Sequence, residues 1–405
     1  MNSIQILQQG GERAGPLAVR LFLRLLERVR HGHLELVTPH GTTLTFGEPH
    51  QPRTAHLHIR DWRACARILR AGDIGFADSH AAGWVDCDDL AALLRLALRN
   101  REALEKGVYG GRLSGWWYRL RHLLRANTRR GSRRNIHAHY DLGNDFYRLW
   151  LDQGMTYSSA IFEYPGQPLA DAQTAKYRRI VDQLGLRAGD SVLEIGCGWG
   201  GFAQYAAERG VRVHGVTISP AQLEVARQRL QRSGLDHLAT VELRDYRDLQ
   251  GQYDAVVSIE MLEAVGERFW PRYFDTVAAC LKPGGQALIQ SITIAEERFV
   301  RYRDSSDFIR ETIFPGGMLP SPERLSGQAQ RSGLQLRDQF FFGRDYAETL
   351  RRWERDFMAR REDIAALGFD ERFLRLWRLY YTYCEAGFDE GQIDVGQFLL
   401  AKTAH

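Results

Sequence analysis

The 405-residue chain has little of what would mark a special class of protein. It has only five cysteines, Cys65, Cys87, Cys197, Cys280 and Cys384, scattered and without a CxxC pair. That excludes a disulfide framework and a cysteine-based zinc centre, so no metal is expected, and it points to a reducing compartment. No apolar run is long enough to cross a bilayer. Near the N-terminus Leu17 to Leu26 is interrupted by Arg20 and Arg24 and preceded by Glu12 and Arg13, which fits neither a signal peptide nor a membrane span. Internal repeats and low-complexity tracts are absent, and the formal charge of +4 is too small for a polycation. What remains is 44% hydrophobic and 26% charged residues, the composition of a globular protein. The length suits roughly two or three domains. A cytoplasmic location is the expectation.

One absence is local. From Gly107 to His139 there is no Asp or Glu, while Arg112, Arg119, Arg121, Arg125, Arg129, Arg130, Arg133 and Arg134 accumulate. Within this stretch Trp116, Trp117, Leu120, Leu123 and Leu124 recur at the spacing of one helix face. A basic amphipathic helix carrying tryptophan has the composition of an interfacial helix on anionic lipid. A domain-linking helix with its tryptophans in the core is the alternative, and nucleic acid is the weaker partner for the arginines.

The most informative stretch that is present is Ser191 to Phe202, SVLEIGCGWGGF. A short apolar run bounded by turn formers predicts a buried parallel strand, and the glycines allow the backbone to turn and approach a ligand at a helix N-terminus. Gly196, Gly198 and Gly201 also satisfy the dinucleotide pattern GxGxxG. That pattern wants an acid on the ribose about 20 residues on. Here the next strand ends in the neutral run Val216, Thr217, Ile218, and the acid is Glu194 inside the motif. A carboxylate there repels a pyrophosphate and suits a cationic amino-acid moiety, which favours S-adenosylmethionine (SAM) over NAD or FAD.

Strands and helices then alternate: Ser191 to Ile195, Val211 to Thr217, Thr240 to Leu243, Tyr253 to Ile259 and Gly285 to Thr293. The alternation predicts an α/β, doubly wound parallel sheet, preceded by a helix over Ala172 to Leu184. Residues 294 to 330, with IFPGGMLPS, are too long for an ordinary connection and predict a lid or substrate channel. Residues 1 to about 100 read as a small α+β module in which Gly72 to Trp84 is turn-rich. Ligands of such sheets lie beyond the carboxyl ends of the strands. Thr217 and Gln222 therefore suit the ribose and amino-acid end, and Asp245 and Tyr246 the adenine. Glu260 and Glu263 stand near the sulfonium, as general-base candidates or as caps of the next helix.

Taken in order, HYDLGNDF, MTYSSAIFE, VLEIGCGWGG, GVTISPAQ, LRDYRDL, IFPGGMLPS and FFGRDYAETL resemble the cyclopropane-fatty-acid synthase family. The resemblance runs over nearly the whole chain, and the N-terminal module with GDIGFADS is similar to the non-catalytic lipid-binding domain of bacterial members. It implies a doubly wound, seven-stranded SAM-methyltransferase sheet over 138–405, a lipid-binding-like α+β domain over 1–106 and a basic linker over 107–137. It implies SAM as cofactor, with Tyr157 and Ser158 joining the cofactor site. It implies methyl transfer to the cis double bond of an unsaturated phospholipid acyl chain, giving a cyclopropane.

In the ring-forming members a bound bicarbonate is the base. Its ligands fall here on Ser159, Glu263, Gln290, Ile292 and Tyr346, where Ser159 and Gln290 replace a cysteine and a histidine and Ala264 replaces the histidine that usually follows the glutamate. Serine and glutamine still donate to an anion but do not titrate, so Glu260 or Glu263 becomes a candidate base. The product then becomes either a cyclopropane or a methylene- or methyl-branched chain. Tyr140 and Tyr157 are placed to flank the cofactor, or else to pack in the core. The partner is phospholipid at an anionic inner-membrane surface, with no nucleic acid and with a homodimer as the candidate assembly. A methyltransferase of RNA or a polar metabolite, and a catalytically weak lipid- and SAM-binding protein, are the competing readings. If the linker is interfacial, Trp116→Ala with Trp117→Ala weakens binding to anionic vesicles more than it weakens SAM binding. Equal vesicle affinity of variant and wild type in a flotation assay rejects that role.

Overall fold

The computed structural model describes residues 17–48, 54–108 and 142–403. The basic stretch from 109 onward, with Trp116 and Trp117, and Tyr140 lie outside the described residues.

In the N-terminal module, α1 (Leu17–Leu26) buries Val19, Phe22 and Leu23 against a four-stranded sheet in the order β2-β1-β3-β4. Its strands are β1 (His33–Val37), β2 (Thr43–Gly47), β3 (Thr54–Ile59) and β4 (Val85–Asp86). Helix α2 (Arg63–Ala81) corrects the expectation of a turn-rich Gly72 to Trp84. The chain is helical on both sides of Gly72, and only that residue breaks it, at φ +58°, ψ −129°. A glycine there makes a kink rather than a loop, because a residue with a Cβ cannot adopt that geometry cheaply. Helices α3 (Leu90–Arg99), with Asp89 as its N-cap, and α4 (Arg101–Val108) complete the described module.

The second sheet has seven strands in the order β10-β11-β9-β8-β5-β6-β7. They are β5 (Ser191–Ile195), β6 (Arg212–Thr217), β7 (Ala239–Leu243), β8 (Tyr253–Ile259), β9 (Leu281–Ile294), β10 (Leu334–Phe341) and β11 (Ile393–Lys402). All neighbours pair in parallel except around β11, which runs antiparallel to both β9 and β10, so the sheet is mixed rather than wholly parallel. The intervening helices are α5 (Asn144–Arg148), α6 (Leu169–Gln183), α7 (Gly201–Ala207), α8 (Pro220–Arg232) and α9 (Trp270–Cys280). Adjacent residues feed opposite faces. Val192 and Leu288 join Ile180, Phe202 and Leu230 on one side, while Leu193 and Ile289 join Phe274, Val277 and Leu325 on the other. This period of two, buried on both faces, is why the strands read as continuous apolar runs.

The long insertion resolves into α10 (Glu296–Asp304), a π-helical turn at Ile309–Ile313, and α11 (Pro322–Arg331), which Ser321 caps. Buried Arg310 pins the lid by donating to the carbonyls of Gly317, Tyr302 and Ser305 at 3.2, 2.8 and 2.7 Å. After β10 come α12 (Gly343–Ala359), α13 (Arg361–Ala366) and α14 (Glu371–Asp389). Helix α14 joins the two modules. Arg95 reaches Glu385 and Asp389, Arg99 reaches Glu390, and Arg375 donates to the carbonyls of His80 and Val85. One apolar core runs from Phe22 and Leu57 of the module through Trp150 and Trp353 to Tyr381.

Gly72→Ala places a Cβ in a backbone region open essentially to glycine alone. It is expected to cost about 1–3 kcal/mol, read as a lower denaturant midpoint at unchanged slope.

Candidate active site

Glu194 is the fourth residue of β5, buried, on the side of the sheet where the strands end. Burial pushes its carboxyl up to about 8, opposed by Lys176, and its Oε2 has no hydrogen-bond partner. Gly196 follows at φ +85°, and a Cβ there would stand 2.9 Å from the Met261 side chain. The turn therefore leaves a cradle that only glycine keeps open, beside a buried carboxyl oxygen still able to accept a proton donor. Those two features fit the ammonium-bearing end of SAM. Thr217 donates to Gln222 at 2.9 Å, and both line the same cavity as Glu194, Gly196 and Gly198. Asp245 and Tyr246 also line it. Asp245 differs from expectation in one respect: both of its oxygens already receive Arg247, at 2.8 and 2.7 Å, so it meets a base as half of an ion pair rather than as a lone carboxylate.

Across the cavity, the segment from Thr156 to Ala160 is held by aromatic packing. The Tyr157 ring lies 5.3–5.6 Å from those of Tyr147, Trp150 and Trp353, and its hydroxyl meets that of Tyr380 at 2.9 Å. Tyr157 is thus both a core residue and a cavity-lining one. Ser158 is clamped at both polar groups: its hydroxyl accepts from Lys176 Nζ at 2.6 Å and its carbonyl from Gln173 Nε2 at 2.9 Å.

The residues placed around one bound anion divide instead between two carboxyls. Glu260 receives the Ser159 backbone N–H at 2.9 Å and Gln290 Nε2 at 2.8 Å on one oxygen, and the Tyr346 hydroxyl at 2.7 Å on the other. Glu263 receives the Ile292 backbone N–H and the Ser291 hydroxyl. The Ser159 hydroxyl turns away and donates to the Ala160 carbonyl at 2.9 Å, which corrects its assignment as an anion donor. Gln290 and Tyr346 are likewise committed to Glu260. A side chain already fills the cradle that the resemblance assigns to bicarbonate, because Glu260 stands where its carboxylate reaches all three donors.

Burial raises both glutamates. For Glu260 the Tyr346 hydroxyl, the Lys176 charge and the two N–H donors oppose that rise, whereas for Glu263 the neighbouring Glu260 charge adds to it and brings it to about 8. The Glu263 carboxyl is therefore the more strongly raised of the two by its neighbour's charge, and its Oε2 has no partner.

The cavity has a volume of about 1820 Å³. It extends from the cofactor cradle past Glu260, Tyr346 and the lid residues Phe314 and Met318 to Phe22, Leu57 and Leu94 of the N-terminal module. Single small-molecule sites occupy roughly 300–1,000 Å³, so this one has room for a cofactor and a long apolar ligand together. Sequence reasoning missed Lys176, Gln173 and Gln397. Gln397 donates to Gln290 Oε1 at 3.1 Å and so aims the Gln290 amide nitrogen at Glu260. The signal was a polar residue inside an apolar period: Lys176 sits one turn from both Ala172 and Ile180, and Gln397 stands between Val395 and Phe398.

Comparison with known proteins identifies the family. Residues 127–398 match the family model described as mycolic acid cyclopropane synthetase. The chain is 41% identical to the tuberculostearic acid methyltransferase UfaA1 of Mycobacterium tuberculosis, over 96% of this chain and 93% of that protein. It is 33% identical to the cyclopropane-fatty-acyl-phospholipid synthase of Escherichia coli K12, over 91% and 92%. Among solved structures, the mycolic acid cyclopropane synthase CmaA1 complexed with SAH and CTAB aligns at a TM-score of 0.63 and 32% identity, covering 67% of this chain and 98% of that one. The chain belongs to the mycolic acid cyclopropane synthetase family and is a SAM-dependent methyltransferase.

Proposed function

We propose that this enzyme transfers a methyl group to the cis double bond of an unsaturated phospholipid acyl chain, and that Glu260 then removes a proton to leave a methylene-branched chain. The observation that carries the reading is the Glu260 carboxylate occupying the three-donor cradle of Ser159, Gln290 and Tyr346. SAM supplies an electrophilic methyl group on a sulfonium. Glu194, Gly196 and Gly198 hold its amino-acid end, Thr217 and Gln222 its ribose, and Asp245 and Tyr246 its adenine. The acyl double bond would give its π pair to the methyl carbon as the methyl–sulfur bond breaks with its electron pair on sulfur, which leaves as S-adenosylhomocysteine; the carbon left behind becomes a cation, which the Tyr157 ring face and the Glu260 charge would stabilise.

Hydride movement to that carbon places the charge on the methyl-bearing carbon. Loss of a methyl proton to Glu260 then leaves an exocyclic C=C bond. Closure of a cyclopropane needs the same proton removed, so the product decides between the two outcomes. The branched outcome is favoured by a base fixed to the protein in place of a diffusible anion, and by the methyltransferase, rather than ring synthase, named as the 41% identical relative. Among the described residues no helix is long and apolar enough to cross a membrane.

Mass spectrometry of lipids from cells expressing the protein should show the gain of one carbon with its hydrogens, and NMR should show exocyclic methylene protons. Cyclopropane resonances instead would restore the ring-forming reading. Label from SAM recovered in tRNA but not in anionic vesicles would overturn the lipid substrate altogether. Glu260→Gln should lower turnover by about 10²–10⁴-fold, the usual worth of a general base, while leaving SAM binding measurable by calorimetry. Stripping bicarbonate from the buffer should leave the wild-type rate unchanged.

Glu194 supplies a pH test. Its carboxyl titrates near 8 in the cofactor-free protein, and a bound cation favours the ionised form. Below that pH, binding must expel the proton, so affinity should tighten up to about tenfold per pH unit as pH rises toward 8 and level off above it. Calorimetry in buffers of different ionisation enthalpy should register that proton release at pH 7.

A further inference from the structure

Lys176 has no part in the steps above, yet it is a fully buried cation beside them. It lies on the inner stripe of α6, where Ala172 and Ile180, one turn before and after, are also completely buried. Such a site disfavours an ammonium strongly unless opposite charge and hydrogen-bond acceptors meet it. Both are present. Nζ donates to Ser158 Oγ at 2.6 Å and to Gln173 Oε1 at 2.7 Å, and it lies 4.9 Å from the centre of the Tyr177 ring. The carboxylates whose charges act on it are, in order of effect, Glu260, Asp152 and Glu194. Asp152 already accepts the backbone N–H groups of Gly154 and Thr156 and feels Arg229 from α8, so it has other partners.

The same contacts position the loop. Because Lys176 takes the Gln173 carbonyl oxygen, the Gln173 amide nitrogen faces the Ser158 carbonyl. Ser158 is thereby held at two points, and the next residue, Ser159, presents its N–H to Glu260.

We propose that Lys176 is a positioning residue for proton removal: its ammonium is the buried counter-charge of the Glu260 carboxylate, and its clamp on Ser158 fixes the loop that holds it. The proposal rests on Glu260 being the base. The groups that face Glu260 are Lys176 from α6, Glu263 from its own strand-end loop, Gln290 from β9 and Tyr346 from α12. Only Lys176 among them is cationic. Burial drives the ammonium down to about 7 against the pull of the three carboxylates, and burial drives Glu260 up against the pull of Lys176. Without the cation Glu260 has a raised affinity for a proton and a second carboxyl, Glu263, beside it. The loss shifts Glu260 toward the neutral acid, which cannot accept the proton.

The test compares Lys176→Met, Lys176→Arg and Glu260→Gln in the full-length enzyme. Lys176→Met should move the acid limb of kcat/KM upward by roughly 1–3 pH units, the size of one opposite charge, whereas Lys176→Arg should leave the limb near its wild-type place. In the cofactor-free protein at pH 7, infrared difference spectra of Lys176→Met against Lys176→Met/Glu260→Gln should show one protonated carboxyl that the same subtraction in wild-type background lacks. Lys176→Gln replaces the methionine variant if near-ultraviolet circular dichroism shows the latter unfolded. An inactive Glu260→Gln with an unmoved limb in Lys176→Met overturns the role of Lys176 and leaves the base in place. A limb that moves equally with arginine also overturns it. An active Glu260→Gln removes the base reading and this proposal with it.

Discussion

The proposed reaction centre depends on one carboxylate held where its backbone is disfavoured. Glu260 has φ +49°, the left-handed region that residues with a side chain enter at a cost of order 1–3 kcal/mol. It stays there because it is over-determined. Its N–H donates to the Gln290 carbonyl at 2.8 Å, continuing the ladder between β8 and β9, while its side chain turns across the strand ends to Ser159, Gln290 and Tyr346. Those three donors come from three separate elements of the chain: a loop, a central strand and the first turn of α12. Pulling Glu260 into an ordinary strand conformation would leave all three facing one another with nothing to accept from them, which is the larger penalty.

Much of the fold was legible. The strand Tyr253–Ile259 coincides with the apolar run that predicts it, because consecutive residues buried on both faces leave an unambiguous pattern. The Gly72 segment was not, because glycine marks a turn and a helix kink with the same letter, and only the packing of α2 chooses between them. In the active site the residue types were legible and their partners were not. Glu260, Gln290 and Tyr346 were all singled out, yet nothing local says that the first would be received by the other two, since they lie 30 and 86 positions apart. Ser159 was chosen for its hydroxyl and contributes its amide, because the rotamer follows the local carbonyl of Ala160. Lys176 and Gln397 stood in apolar periods, where a polar letter reads first as a packing irregularity.

Charge in the site is arranged by subtraction. Three carboxyls, Glu194, Glu260 and Glu263, surround the place where a positive charge must arrive and move, and full ionisation of all three would leave a large uncompensated negative charge in a dry cavity. Burial reduces it: it pushes Glu194 and Glu263 up to about 8, while the donors around Glu260 oppose the same rise there. In the function proposed above, the incoming cation meets a carboxyl that ionises on its arrival, so the empty protein need not sustain the charge.

The walls of the cavity come from two modules that are far apart in the chain, with Phe22 and Leu94 on one side and Phe314 and Phe388 on the other. Asp73, at the kink of α2, ties them together by accepting from the Phe308 N–H in the lid and from Tyr383 of α14. Neither module encloses the chamber by itself. During synthesis α2 and α3 emerge long before α14, the helix that packs on them, so the faces they give it stay open to water in the interval. Such a surface attracts other nascent chains as readily as its own. Biogenesis of this enzyme therefore carries a hazard that the finished molecule conceals, and holdase chaperones are the cellular factors suited to shield it.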